Sequence, residues 1–175
     1  LKLTLEDTSN SSVENGAVTS MDLPMNHDHL LVGYASGSII LWDVIKGTML
    51  KAMYELHSSP ITVVRLVTPL INSNEDIHAV SVDASGLVHK ITFSKGIMRW
   101  STYSAETECL LDGTAGQILA MDALPPPEEE NADSRYHSSA LKIVLIALSS
   151  DRSSFAVSVL PKVSVLHRWA KPAED

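Results

Sequence analysis

Between Leu30 and Asp43 the chain reads LLVGYASGSIILWD: an apolar run, a tight Ser-Gly turn, and a second apolar run closing on Trp42-Asp43. Two β-rich runs separated by a short Gly-containing stretch fold as an antiparallel hairpin. The hairpin returns. From His78 to Thr92 the sequence is HAVSVDASGLVHKIT, and Ala35-Ser36-Gly37 is answered 49 residues later by Ala84-Ser85-Gly86, Ile39 by Val88 and Trp42 by Ile91. A repeated hairpin cannot bury its apolar faces alone, so copies must stack against one another. Phe155, Val157 and Val159, then Val163 and Val165, alternate with period two, and no window carries a sustained 3.6-residue stripe. Strands are therefore expected throughout, with little or no helix.

Three segments with one apolar pattern head the repeating units: Val18, Met21, Leu23; Ile61, Val64, Leu66; and Ile118, Met121, Ala123. Their starts lie 43 and 57 residues apart. The first interval suits a four-stranded unit of about 40–45 residues and the second requires an insertion. The organisation expected is a flexible segment or remnant of a preceding unit over 1–16, repeats over 17–56, 57–116 and 117–170, and a tail over 171–175. The first repeat places strands at Val18–Leu23, His29–Tyr34, Ser38–Trp42 and Met49–Tyr54. The second has Ile61–Val67, His78–Val82, Leu87–Phe93 and a segment between Met98 and Leu111. The third has Gln117–Leu124, Leu141–Leu148, Phe155–Leu160 and Val163–Trp169, with Asp151-Arg152-Ser153 as its hairpin turn. Two insertions stand out, 72–76 and the acidic, Pro-rich loop 125–139, whose prolines and like charges keep it extended in water.

With 175 residues, 45% of them hydrophobic, the chain is long enough for one sizeable core. Thirteen Lys plus Arg against 21 Asp plus Glu give a net charge of −8, which offers no basic patch for phosphates and excludes nucleic acid as a partner. A single cysteine, Cys109, forms no internal disulfide, which fits a cytosolic protein. Asn10-Ser11-Ser12 matches a glycosylation acceptor, a short pattern that matters only in a secreted chain. The start LKLTLEDTSNSS has no signal-peptide pattern, and the longest apolar stretch, Ala140–Leu148, is interrupted by Lys142 and too short to span a bilayer. Leu1 in place of an initiating Met suggests a fragment.

Chemistry-bearing patterns are sparse. His27, Asp28 and His29 cluster beside a strand, but neighbouring strand residues point to opposite faces and the remaining ligands of a closed metal site are missing. Ser36 in GYASG fails the nucleophile-elbow spacing and sits between strands, where it serves as a turn former. Gly33, Gly37, Gly86, Gly113 and Gly116 are scattered at turns, where each permits a positive φ. Cys109 has no basic neighbour in sequence and is expected as a buried thiol. Trp42 is expected to pack between units and Trp100 to be exposed, while His57 is a packing residue rather than a base. No catalytic, cofactor-binding or metal residue is assigned.

The run HSSPITVVRL from His57, together with Trp42-Asp43, resembles the WD-repeat family, whose fold is a β-propeller. More specifically, GYASGSIILWDVIKGTMLK, HSSPITVVRL and SVDASGLVHKITF resemble the amino-terminal propeller of the vacuolar protein sorting-associated protein 8 family, subunits of the CORVET tethering complex. The resemblance covers roughly residues 17 to 124 and implies an all-β, partial propeller of about three WD-like blades. It assigns structural repeat-signature roles to Gly33, Ser36, Gly37, Trp42, Asp43, His57, Pro60, Ser85 and Gly86. It further implies a non-catalytic interaction platform in the cytoplasm, peripheral on endosomal membranes. The implied partners are tethering-complex subunits and a Rab GTPase, with membrane contact only through the complex. The zinc-binding RING domain of that family cannot be supplied by a chain with one cysteine.

A full WD blade links a His, an Asp in the tight turn, a Ser or Thr and the Trp by hydrogen bonds. Here the turn position six before Trp42 is Ser36 and its counterpart is Ser85, so the network is expected to be incomplete. Alternatives are a HOPS-type tethering subunit, an unrelated WD scaffold in signalling or ubiquitin ligation, and a propeller hydrolase. The last needs acidic or His residues converging on a central channel, and the sequence shows no such convergence.

Overall fold

Short apolar runs whose side chains alternate between two faces bury both faces only by stacking sheet on sheet. The computed structural model describes residues 15–24, 28–67, 76–96, 103–124 and 143–170, which form twelve strands and no helix. Residues 10–12, His27, 72–75, Trp100, 125–142 and 171–175, which carried several of the sequence expectations, lie outside the described residues.

The first sheet runs β1 (Val18–Asp22), β2 (His29–Tyr34), β3 (Ile39–Asp43) and β4 (Thr48–Met53) side by side in chain order. The second repeats the pattern with β5 (Ile61–Leu66), β6 (Ile77–Asp83), β7 (Leu87–Lys95) and β8 (Tyr103–Asp112). The third does so with β9 (Ile118–Ala123), β10 (Ile143–Ser149), β11 (Ser154–Leu160) and β12 (Ser164–Trp169). All neighbouring strands are antiparallel, and the three sheets do not close into a ring. The expected all-β, partial-propeller architecture is the observed one.

The three central hairpins share a turn. Gly37 N–H donates to the Tyr34 carbonyl, Gly86 to Asp83 and Arg152 to Ser149, each at 3.1 Å. The donor residue is left-handed in all three, with φ of 84°, 90° and 68°. Such a backbone favours Gly, which the first two turns supply and the third replaces with Arg152.

Two apolar seams hold the sheets together. Leu31, Ile39 and Leu41 of the first sheet meet Ile61, Val64, Ala79, Ile91 and Phe93 of the second. On the opposite face of the second sheet, Val80, Val82, Val88 and Leu110 meet Leu145, Ala147, Phe155 and Val157 of the third. The middle sheet is buried on both faces, so β6 is buried at every position except the half-buried His78, including the polar Ser81 and Asp83. Each fully buried Val, Ile or Phe in these seams contributes about 1.5–3 kcal/mol of burial free energy.

Two placements correct the sequence reading. Gly33 is no turn glycine. It lies within β2 opposite Ile39, and a Cβ on it would overlap Ile61 Cγ2 of the next sheet, so its missing side chain lets the sheets approach. Cys109 is exposed on β8, not buried, because its strand is the outer edge of the second sheet. Trp42 is 3% exposed and packs with Val32, Tyr34 and Ile40 on the face of β3 that turns away from the second sheet. Among the described residues no helix is long and apolar enough to cross a membrane.

Polar side chains also bridge the first seam. Val64 N–H donates to Ser20 Oγ at 3.1 Å and Leu66 N–H to Asp22 Oδ2 at 2.7 Å. These bonds satisfy two backbone donors on the free edge of β5 that no strand partner reaches.

Candidate functional site

The segment joining β4 to β5 delivers His57 into the second sheet with its ring fully buried. Nδ1 lies 3.0 Å from Asp83 Oδ2 and Nε2 lies 2.8 Å from Ser81 Oγ. A carboxylate only accepts, so Nδ1 carries the proton donated to Asp83, and Nε2 accepts from the Ser81 hydroxyl. Ser81 and Asp83 are two apart on β6 and therefore share a face.

Asp83 also organises the β6–β7 turn. Its Oδ1 accepts from Ser85 Oγ at 2.6 Å, Ser85 N–H at 2.9 Å and Leu87 N–H at 3.1 Å. Burial pushes this carboxyl up, but the bonds from Ser85, His57 and Leu87 outweigh it and hold it below the ordinary carboxylate range. His57 moves the other way for an imidazole: burial lowers it, and the Asp83 bond and charge only partly oppose the shift. The ring is thereby kept neutral near pH 7.

His89 completes the cluster. It pairs with Ser81 across the β6–β7 ladder, and its ring stands edge-on to His57 with centroids 5.0 Å apart. Burial lowers its titration first and the neighbouring His57 second. Its Nδ1 is buried and meets no hydrogen-bond partner among the described residues.

Ser81, His57 and Asp83 thus form the hydrogen-bond chain of a hydrolytic triad, but its environment does not suit attack on a substrate. Ser81 is fully buried, whereas a nucleophile must be reachable and face an oxyanion site. Such a buried chain fixes the turn and the incoming segment against the sheet. No group of three potential metal ligands occurs among the described residues.

The remaining signature residues fall into two groups. Gly37 sits against the carbonyl oxygens of His57 and Ser59, and a Cβ would overlap the His57 carbonyl. Gly86 likewise sits against the Gly116 carbonyl on the segment leading into the third sheet. Pro60 accepts from Ala84 N–H at 2.9 Å, and Ser85 caps onto Asp83, so both belong with His57. Ser36 accepts from Ser38 N–H at 3.2 Å in the first turn. Trp42 and Asp43 stand apart, Asp43 being bonded to Lys46 through N–H at 2.9 Å and Nζ at 2.7 Å.

Sequence reasoning missed Asp83, Ser81 and His89. It read the turn position at Ser85, while the carboxylate that takes the turn's donors lies two residues earlier. The signal was present as Ser81-x-Asp83 with His57 upstream. The expected incompleteness is thereby narrowed: His, Asp and Ser are joined, and a His occupies the position opposite Ser81.

The family model described as Vps8 beta-propeller matches residues 1–175. The mouse and human proteins described as vacuolar protein sorting-associated protein 8 homolog are each 27% identical over 124 residues, 71% of this chain and 8% of their own length. The chain therefore spans about a twelfth of these relatives. In three dimensions it is similar to the WD40 domain of SCAP from fission yeast, with a TM-score of 0.57 and 11% identity over 89% of this chain and 32% of that one. That likeness speaks for the fold alone, and it agrees with three antiparallel four-stranded sheets stacked in series. With the match running the full 175 residues, the chain belongs to the Vps8 beta-propeller family.

Proposed function

We propose that this chain is a non-catalytic protein-interaction platform of a CORVET-type vesicle-tethering complex acting in endosome-to-vacuole or lysosome transport. The observation that carries the reading is the family match over the whole chain. The burial of the Ser81–His57–Asp83 chain supports a scaffold role, since its reactive groups are spent on holding neighbouring segments together. Partners are other complex subunits and a Rab GTPase, and membranes are reached through the complex, from the cytoplasmic side.

Proximity labelling from the full-length protein in cells tests this. Tethering-complex subunits are expected to dominate the labelled set, and subunits particular to HOPS in place of CORVET would move the assignment to the sister complex. Enrichment of ribosomal or chromatin proteins alone would overturn it.

A further inference from the structure

We propose that the seam between the first and second sheets is a proton-sensitive joint, in which acid uptake by the stacked His57 and His89 rings releases His57 and lets the two sheets part. His57 belongs to both sides of that seam. Its carbonyl and that of Ser59 lie against Gly37 in the β2–β3 turn, while its ring is plugged between Ser81 and Asp83 of the second sheet. Anything that expels the ring also withdraws the backbone on which the first sheet's turn rests.

Both ring nitrogens of His57 are engaged, one donating and one accepting. A proton added at Nε2 turns that acceptor into a donor aimed at the Ser81 hydroxyl, which must re-aim its own hydrogen. The ring then carries a positive charge 5.0 Å from a second imidazole. That second ring, His89, already buries an Nδ1 that meets no hydrogen-bond partner among the described residues, so an added N–H there finds no acceptor among them.

The surroundings offer little compensation. Among the described residues Asp83 on β6 is the one carboxylate acting on the pair, and it is committed through one oxygen to His57 and through the other to Ser85 and Leu87. Opposite His89 on β8 stands Cys109, whose thiol is raised by partial burial first and by Asp112 second and so stays neutral. The first sheet turns apolar Leu31, Ile39 and Leu41 to the seam. Two imidazolium rings against one shared carboxylate cannot both be stabilised there, and opening the seam lets water solvate them.

The sign follows from the directions of titration. Both imidazoles lie below the ordinary histidine range, so the open seam binds protons that the closed seam refuses. The joint is at full strength above about pH 6.5 and weakens as pH falls below it, by up to tenfold in the opening equilibrium per proton and per pH unit. Asp83 keeps its charge through this window because its carboxyl is held low.

Hydrogen–deuterium exchange on the full-length protein at about pH 7.5 and about pH 5.5, corrected for intrinsic exchange, tests the joint across the range in which histidines change charge. Peptides covering 31–41 and 57–66 are expected to gain exchange in acid by about tenfold or more while 154–160 does not. His89→Trp replaces the second titratable ring with a neutral one bearing an N–H donor, and His89→Gln serves the same purpose with a smaller side chain. Either variant is expected to shrink the acid gain. An acid gain spread equally over all three sheets, or one unchanged in both variants, overturns the proposal, and the wild-type comparison decides by itself if neither variant folds.

Discussion

Asp83 gathers four donors onto two oxygens, His57 on one side and Ser85 and Leu87 on the other. Truncating it strands those donors out of water, so Asp83→Ala is expected to lose about 1–3 kcal/mol, read as a lower urea midpoint with unchanged slope. The carboxyl's low titration adds a pH signature. Its contribution is present above about pH 4 and drains as pH falls through its folded value, so Asp83→Asn is expected to flatten the acid limb of the stability curve. Gly33 makes a different demand, for the absence of atoms. Gly33→Ala drives a methyl into Ile61 and is expected to cost about 1–3 kcal/mol. Ile61→Ala, which removes the Cγ2 that the added methyl would meet, should show a smaller added cost of Gly33→Ala in a double-mutant cycle, and strict additivity would show that the two residues do not touch.

At the level of strands and sheets, β1 does more than complete its own sheet. Its Ser20 and Asp22 side chains take the place of a missing strand for β5. Asp22→Ala is expected to expose Leu66 N–H and cost about 1.5–3 kcal/mol, seen as faster amide exchange at Val64 and Leu66 than at Val80. The nearby Arg65–Asp22 pair at 3.6 Å is half exposed on the arginine side and adds little, so Arg65→Ala should leave exchange almost unchanged. This division explains what could be read from sequence. Period-two alternation and repeated turn residues place a strand wherever the local pattern is sufficient, as at β2, β3, β6, β7 and β11. Gly33 was misplaced and Asp83 missed because their roles depend on atoms 28 and 26 residues away, on Ile61 and His57, which no local window contains. Trp42 shows the other limit of a local signature: it marks a buried position, but the face of β3 it occupies is visible only in three dimensions.

On the scale of the whole molecule, three stacked sheets leave strand edges and apolar side chains without a closing neighbour. Leu148, Leu166 and Trp169 of the third sheet are 42%, 51% and 49% exposed, and among the described residues no strand lies on the outer side of β12. Such edges pair with other chains, so these 175 residues produced alone are expected to self-associate, with light scattering reporting a mass above 19.0 kDa. A sharp monomer with one cooperative melt would refute this. The side chains that β1 lends to β5 also bear on how such arrays can be rebuilt. At the corresponding places in the second sheet stand Val63 and Arg65, which cannot accept a backbone N–H. Sheets of this protein are therefore not interchangeable beads on a string, and a chimera that reorders them would break a lock that only the original neighbour can close.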